Sequence, residues 1–289
     1  MKIAAVVILY HPQESALTNI KTYYDYVDKI FVFDNSEVKS ALQDDLLKFS
    51  KIEFYQNFNN EGIAKRLNEA CELALKEQYE WILTMDQDSS FSADAVNAYF
   101  HCFKQFKGKE NIALFGTENK RYSNTSSDNC TAENVDKLIT SGSLLNLSLF
   151  AKIGEFDEAL FIDSVDYDYC FRASIAGYFI IQFSNIYLLH SIGKIVNRSS
   201  VKTLFILKKK KEIHTPLRLY YMYRNMLYLN KKYQDQEKEF SKQIRDYVMS
   251  RIKVCLFYGR DAWKTLKYLK AASSDFKKNK MGKIEKELY

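Results

Sequence analysis

Short apolar runs bounded by polar residues recur through the first half of the chain. Ile3–Leu9, Lys29–Phe33, Ile52–Tyr55, Trp81–Met85 and Ile112–Phe115 have the length and the aliphatic and aromatic content of strands. Between them Gln13–Val27, Gly62–Gln78 and Phe91–Phe106 carry helical spacing; in the second, Ile63, Leu67, Ala70, Cys71 and Ala74 form one apolar stripe. Strands separated by helices imply right-handed crossovers and an α/β fold with a mostly parallel central sheet. Lys120–Glu133 is polar and rich in Ser and Asn, and reads as a loop. Leu138–Phe150 and Tyr178–Leu189 read as β-rich or buried segments around an acidic stretch, Phe156–Arg172. Beyond Lys194 the pattern changes. Val201–Lys211, Pro216–Lys232 and a long region from about Gln236 to the C-terminus read as helical. The expected organisation is an α/β body over residues 1–210 and a helical, basic extension over 211–289.

With 289 residues, 47% of them hydrophobic, and only 9 Gly and 2 Pro, the chain should be globular and rich in regular structure. The five cysteines (Cys71, Cys102, Cys130, Cys170, Cys255) are scattered and lack any CxxC pair. That argues against a disulfide framework or a zinc site, and for a reducing, cytoplasmic setting. The apolar opening Ile3–Tyr10 is too short for a membrane span and reads as a first strand, not a signal peptide. A net charge of +6 hides an asymmetry: Lys208–Tyr289 holds 22 basic against 9 acidic residues, whereas residues 1–207 hold 20 against 27. The partners suited to such a basic tail are anionic lipid or nucleic acid. No nucleic-acid motif accompanies it, so nucleic acid is set aside.

The chemistry concentrates where apolar runs stop. Trp81–Met85 ends in Asp86-Gln87-Asp88-Ser89, and in an extended strand Asp86 and Asp88 point the same way. Two like charges at that spacing repel unless a cation lies between them. At the C-terminal edge of an open α/β sheet, the fitting occupant is a hard divalent ion, Mg²⁺ or Mn²⁺, carrying phosphate oxygens. The alternative is an acidic turn capping a helix that begins near Ser92. The first strand ends at Tyr10 and the second at Asp34-Asn35-Ser36, which offers a carboxylate and an amide to a pyrimidine base and ribose, or else an Asx turn. Lys65 and Arg66 open a helix whose amides could face a pyrophosphate; otherwise they are a solvated face. His190 closes a β-rich run, as a ligand or as a structural histidine.

Val6–Tyr10, Phe33–Ser36, Asn60–Asn68, Trp81–Ser89, Ser141–Ser143 and Phe161–Ala173, in that order, resemble bacterial family 2 glycosyltransferases of GT-A fold, a Rossmann-like nucleotide-sugar architecture. Asp86-Gln87-Asp88-Ser89 with Phe161-Ile162-Asp163-Ser164-Val165-Asp166, and His214–Asn225 beyond, are similar to the rhamnosyltransferase branch. The resemblance implies a nucleotide-sugar donor, dTDP-L-rhamnose in that branch, a divalent metal on its diphosphate, and inversion at the anomeric carbon. It implies Asp166 as general base, with Asp163 as second candidate because the family's Glu-Asp pair is Val165-Asp166 here. Asp86, Asp88 and His190 fall where the metal lies. Tyr10, Asp34, Asn35, Lys65, Arg66, Asp86, Gln87, Arg218 and Arg224 fall on the donor side, Ser143 and Asp168 on the acceptor side.

From Ile252 to Leu269, apolar residues at three- and four-residue steps alternate with Arg and Lys. A basic amphipathic helix containing Trp263 suits an interfacial anchor at the inner face of the cell membrane, where a lipid-linked acceptor would lie. The alternatives are a helix packed back on the body and a homodimer contact. A UDP-hexose or UDP-galactofuranose donor, and a non-catalytic membrane-surface scaffold, are the competing functional readings.

Overall fold

The computed structural model describes residues 1–120, 130–190, 194–199, 208–234 and 238–288. The chain divides into two compact units, Met1–Glu158 with Val165–Ser191, and Ala159–Ser164 with Ile192–Tyr289.

Unit 1 is built on nine strands: β1 (Ile3–Leu9), β2 (Lys29–Asp34), β3 (Ile52–Gln56), β4 (Trp81–Asp86), β5 (Ser89–Ser90), β6 (Ile112–Lys120), β7 (Ala132–Asn134), β8 (Ser143–Asn146) and β9 (Phe179–His190). Their order is β3-β2-β1-β4-β8-β6-β9-β5, with β7 also on β9. The first four strands are parallel; β8 runs antiparallel to both β4 and β6, so beyond β4 the sheet is mixed. Every residue of β1 is buried, as befits a parallel strand with both faces covered. The covering helices are α1 (Ser15–Lys21), α2 (Gln43–Leu46), α3 (Ile63–Lys76), α4 (Ala93–Gln105), α5 (Leu147–Ile153) and α6 (Val165–Ile175). Ser92 caps α4 by accepting from the Ala95 N–H, 3.2 Å. An aromatic cluster of Trp81, Tyr99, Phe103, Phe106, Phe115 and Phe183 fills one side of the core. The buried Tyr99 hydroxyl donates to the Phe115 carbonyl (2.9 Å) and accepts from the Leu144 N–H (3.3 Å), which ties α4 to β6 and β8.

One sequence expectation is overturned here. Cys102, in the last turns of α4, and Cys130 are joined in a disulfide with 5.3 Å between their Cα atoms. Their separation of 28 residues gave no sign of it, because only the fold brings the end of α4 beside Cys130. Cys71, Cys170 and Cys255 are free and buried.

Unit 2 holds a two-stranded antiparallel hairpin, β10 (Lys194–Arg198) and β11 (Lys209–Ile213), and three helices, α7 (Pro216–Tyr233), α8 (Lys238–Tyr258) and α9 (Ala262–Lys277). The helix expected over Val201–Lys211 lies largely outside the described residues; its described end is strand β11, where alternating side chains replace a helical stripe. The long C-terminal helical region is two helices broken around Gly259, where an added Cβ would stand 2.2 Å from the Cys255 carbonyl oxygen. Thr215 caps α7 from the position before Pro216. Among the described residues, no helix is long and apolar enough to cross a membrane.

Candidate active site

The C-terminal ends of β1, β2 and β4 meet at one edge of the unit 1 sheet, with Leu9 beside Asp34 and Ile8 beside Asp86 in register. Gln87 locks this edge: its side-chain amide accepts from the Tyr10 N–H (2.9 Å) and donates to the Tyr10 carbonyl (3.1 Å). The backbone therefore uses Gln87, while the Tyr10 side chain stands 44% exposed.

Asp86, Asp88 and His190 gather at this edge, with one ligand atom from each lying within 4.8 Å of the others. His190 arrives from the far end of β9 because β5 pairs Ser89 with His190. Its Nδ1 is 2.6 Å from Ser89 Oγ and 3.6 Å from Asp88 Oδ1. The Asp86 N–H donates to Ser141 Oγ (3.1 Å), and the Gly142 N–H to the Thr84 carbonyl (2.8 Å). Gly142 has φ +78°, and a Cβ there would approach Leu188 to 3.0 Å, so this turn requires glycine. Two carboxylates and one imidazole form a hard, oxygen-rich donor set that leaves coordination positions for ligand oxygens, which fits Mg²⁺ or Mn²⁺.

Asp166 lies in the first turn of α6, half-buried, and lines a small cavity with Thr84, Thr140 and Ser143. Thr84 and Asp86 are two apart on β4, so their side chains share a face. Asp166 thus faces the same side of the sheet edge as the acidic pair. Asp168, two residues on, has the opposite environment. It is fully buried and accepts from Arg172 Nε (2.9 Å), while Arg172 also donates to the carbonyls of Ile153, Gly154 and Glu155. That pair closes α6 onto the end of α5 and offers no surface to an acceptor. Ser143, expected on the acceptor side, is 2% exposed and donates to the Ile139 carbonyl at 2.7 Å.

Asp34 is wholly buried. Its Oδ1 accepts from the Ser36 N–H (2.8 Å), and its Oδ2 has no hydrogen-bond partner among the described residues. Asn35 is the hub of the neighbouring loop: its carbonyl oxygen accepts from Arg66 Nε (2.8 Å), and its amide donates to the Gly62 carbonyl (3.1 Å). Arg66, expected to meet phosphate, is 5% exposed and held by Asn35, Glu69, Asn57 and the face of Phe33. Lys65 pairs with Glu61 at 2.9 Å on the helix surface.

In unit 2, Arg218 grips Asp163 Oδ1 through Nε (3.2 Å) and an Nη (2.8 Å). Arg224 is 1% exposed, its guanidinium 5.2 Å from the ring centroids of both Tyr220 and Tyr221; it is an interior cation rather than a surface one. Asn225 was not among the site candidates read from the sequence. Its buried side-chain amide lies 2.9, 2.8 and 2.9 Å from the carbonyls of Leu160, Ile162 and Asp163. Phe161, Asp163 and Ser164 all have φ between +64° and +65°, and a loop of non-glycine residues so strained persists only when something holds it. Asn225 does so. A signal existed, in that an Asn inside an apolar helix interior must have partners.

The curled α/β sheet with C-terminal helices is the fold of GT-A glycosyltransferases. It superposes on GalNAc-T7, solved with UDP, GalNAc and Mn²⁺, with a TM-score of 0.58 at 10% identity, covering 96% of this chain and 56% of that one. It superposes on residues 1–349 of S. aureus TarS, solved with UDP-GlcNAc, with a TM-score of 0.53 at 14% identity, covering 96% of this chain and 80% of that one. The chain thus spans little more than half of the GalNAc-T7 structure. In sequence it is similar to the dTDP-rhamnosyl transferase RfbF of Shigella flexneri, 28% identical over 252 residues and covering 80% of each protein. No family model matches the chain.

Proposed function

We propose that this protein is an inverting, metal-dependent glycosyltransferase that moves L-rhamnose from dTDP-L-rhamnose to a lipid-linked glycan acceptor at the inner face of the cell membrane. The gathering of Asp86, Asp88 and His190 at the sheet edge, with Asp166 on the same side, carries this reading. Asp86, Asp88 and His190 would hold Mg²⁺ or Mn²⁺, which supplies a Lewis acid to the leaving diphosphate. Ser89 fixes the His190 ring through Nδ1, the kind of outer support that orients a metal ligand. Asp34 supports a nucleotide at this edge: a buried carboxylate oxygen without a donor costs about 1–3 kcal/mol, and a ribose or base N–H or O–H would relieve that cost. Asp166 would take the proton of the acceptor hydroxyl as it attacks opposite the leaving group. Ser141, Gly142 and Gln87 keep the ends of β1 and β4 in place during the exchange.

The rhamnose assignment rests on the similarity to RfbF and on the resemblance of Asp86–Ser89, Phe161–Asp166 and His214–Asn225 to the rhamnosyltransferase branch. A UDP-hexose donor is the second reading, favoured by the UDP-GlcNAc bound in TarS. A donor-hydrolysis screen decides between them: purified protein with Mn²⁺ or Mg²⁺ against dTDP-L-rhamnose, UDP-GlcNAc, UDP-galactose and UDP-galactofuranose. The expected result is release of dTDP from dTDP-rhamnose alone, abolished by EDTA. Turnover of a UDP-sugar instead would reassign the donor, and turnover of none would favour a scaffold.

A further inference from the structure

Three lysines of unit 2 line one groove. Lys209 and Lys211, two apart on β11, share a strand face, and α8 presents Asp246, Ser250, Lys253 and Phe257 at helical steps toward the same space. Between them lies a groove of about 580 Å³ with Met249, Val254 and Tyr258 in its lining. Two ties hold its walls together: Arg251 to Glu212 (3.1 Å), and Arg198 to the Tyr258 carbonyl (3.3 Å). The groove carries three lysines against one aspartate, with Met249, Val254, Phe257 and Tyr258 among them. That lining matches an amphiphile with an anionic head.

A second observation comes from α9. The amphipathic stripe read from the sequence divides in the structure: Ile252 and Cys255 of α8 turn inward, whereas Trp263 of α9 is 82% exposed and Leu266 46%. Trp263, Leu266, Lys267 and Lys270 follow one helix face, so the outward surface is aromatic and aliphatic with lysines beside it. Phe257, at the end of α8, is 41% exposed and only six residues from Trp263, a chain distance of at most about 20 Å. An indole so exposed beside lysines is the arrangement of an interfacial anchor.

We infer that unit 2 docks on an anionic bilayer, with the lipid phosphate seated among Lys209, Lys211 and Lys253, and with Trp263 and Leu266 entering the headgroup region. The inference deepens the reading of a lipid-linked acceptor and rests on it only for its purpose, because docking can be measured without transfer.

Trp263 is one of two tryptophans, and the other, Trp81, is 4% exposed. Fluorescence of the full-length protein therefore reports the wedge directly. On titration with vesicles of phosphatidylcholine and phosphatidylglycerol (7:3), emission should shift to the blue and be quenched by brominated acyl chains. Phosphatidylcholine alone should give neither effect. The variant K209E/K211E/K253E should weaken vesicle binding by at least roughly 100-fold, since each basic residue contributes about fivefold. The variant W263S/L266S should lose the shift. Thermal unfolding of both variants should match the wild type, because Lys209, Lys253, Trp263 and Leu266 are exposed and Lys211 is half-exposed.

Donor hydrolysis by both variants should equal that of wild type, which keeps failure of docking separate from failure of the glycosyltransferase reading. Inorganic phosphate at millimolar concentration should leave vesicle binding intact; displacement by it would assign the groove to a soluble phosphate and overturn the lipid. Unchanged vesicle binding in the triple variant, or a dimer that W263S/L266S converts to monomer without any loss of vesicle binding, would overturn it as well.

Discussion

The sheet edge of unit 1 and the helical extension of unit 2 both carry dense charge, but they hold it differently. At the sheet edge, carboxylates stand at the ends of buried strands, and register fixes which neighbours they have. Asp34 beside Leu9, Asp86 beside Ile8 and Ser89 beside His190 follow from backbone pairing alone. In the extension, charge lies on helix surfaces, and the interior is closed by polar side chains that satisfy one another, such as Tyr220 donating to Asp275 at 2.8 Å. A charged residue is therefore informative about function where its surroundings leave it incompletely satisfied. Where the surroundings complete its hydrogen bonds, it informs about folding.

The sharpest contrast lies within α6. Asp166→Asn should lower transfer about 10³-fold while leaving the melting temperature unchanged, because a general base contributes roughly 10²–10⁴-fold. Asp168→Asn should do the reverse, with activity retained in the folded fraction and about 3–5 kcal/mol of stability lost, the typical result of breaking a buried ion pair. Kinetics and thermal denaturation of the two variants together test the contrast; an inactive but fully stable Asp168→Asn would break it.

Smaller effects extend the comparison. Opening Cys102–Cys130 with dithiothreitol should cost roughly 2–4 kcal/mol, read as a lower melting temperature, with Cys102→Ser insensitive to the reagent. Asn225→Leu should cost about 2 kcal/mol by leaving the carbonyls of Leu160, Ile162 and Asp163 without their donor, and hydrogen exchange in residues 160–164 should rise. An unchanged exchange rate there would mean that the strained loop is held by other groups.

The smallest effect concerns His214. Burial, and then the charge of Arg218, hold its pKa below the ordinary histidine value. The unfolded chain therefore takes up this proton first as pH falls. The stability His214 contributes is complete above about pH 6.5 and is lost below it, as pH descends toward the folded-state value. His214→Gln should flatten the loss of stability between about pH 7 and pH 5 in urea titrations.

The strands and their terminal acids were legible because a buried parallel strand is an unbroken apolar run, and the residue after it must sit at the sheet edge. Trp81–Met85 followed by Asp86 is the plainest case. The motif order that resembled glycosyltransferases agrees with the fold and with the similarity to RfbF. What was illegible is burial among charged residues. Arg66 and Arg224 look like surface cations in a one-dimensional string, and only the packing reveals Phe33, Tyr220 and Tyr221 against their guanidiniums. Asp166 and Asp168 have the same residue type and nearly the same neighbours. The partner of Asp168, Arg172, is one helical turn away, but spacing does not say that the pair is buried. The break at Gly259 was masked by the apolar spacing that runs from Ile252 to Leu269 along the sequence, although Ile252 and Cys255 turn inward and Trp263 and Leu266 outward.

If Asp86, Asp88 and His190 hold one divalent ion that carries a nucleoside diphosphate, anomalous diffraction from crystals soaked in Mn²⁺ and dTDP should show it. A single manganese peak is expected within coordination distance of all three side chains, bridged to diphosphate oxygens, and lost in Asp88→Ala. Nucleotide bound with no manganese among those three residues would contradict it.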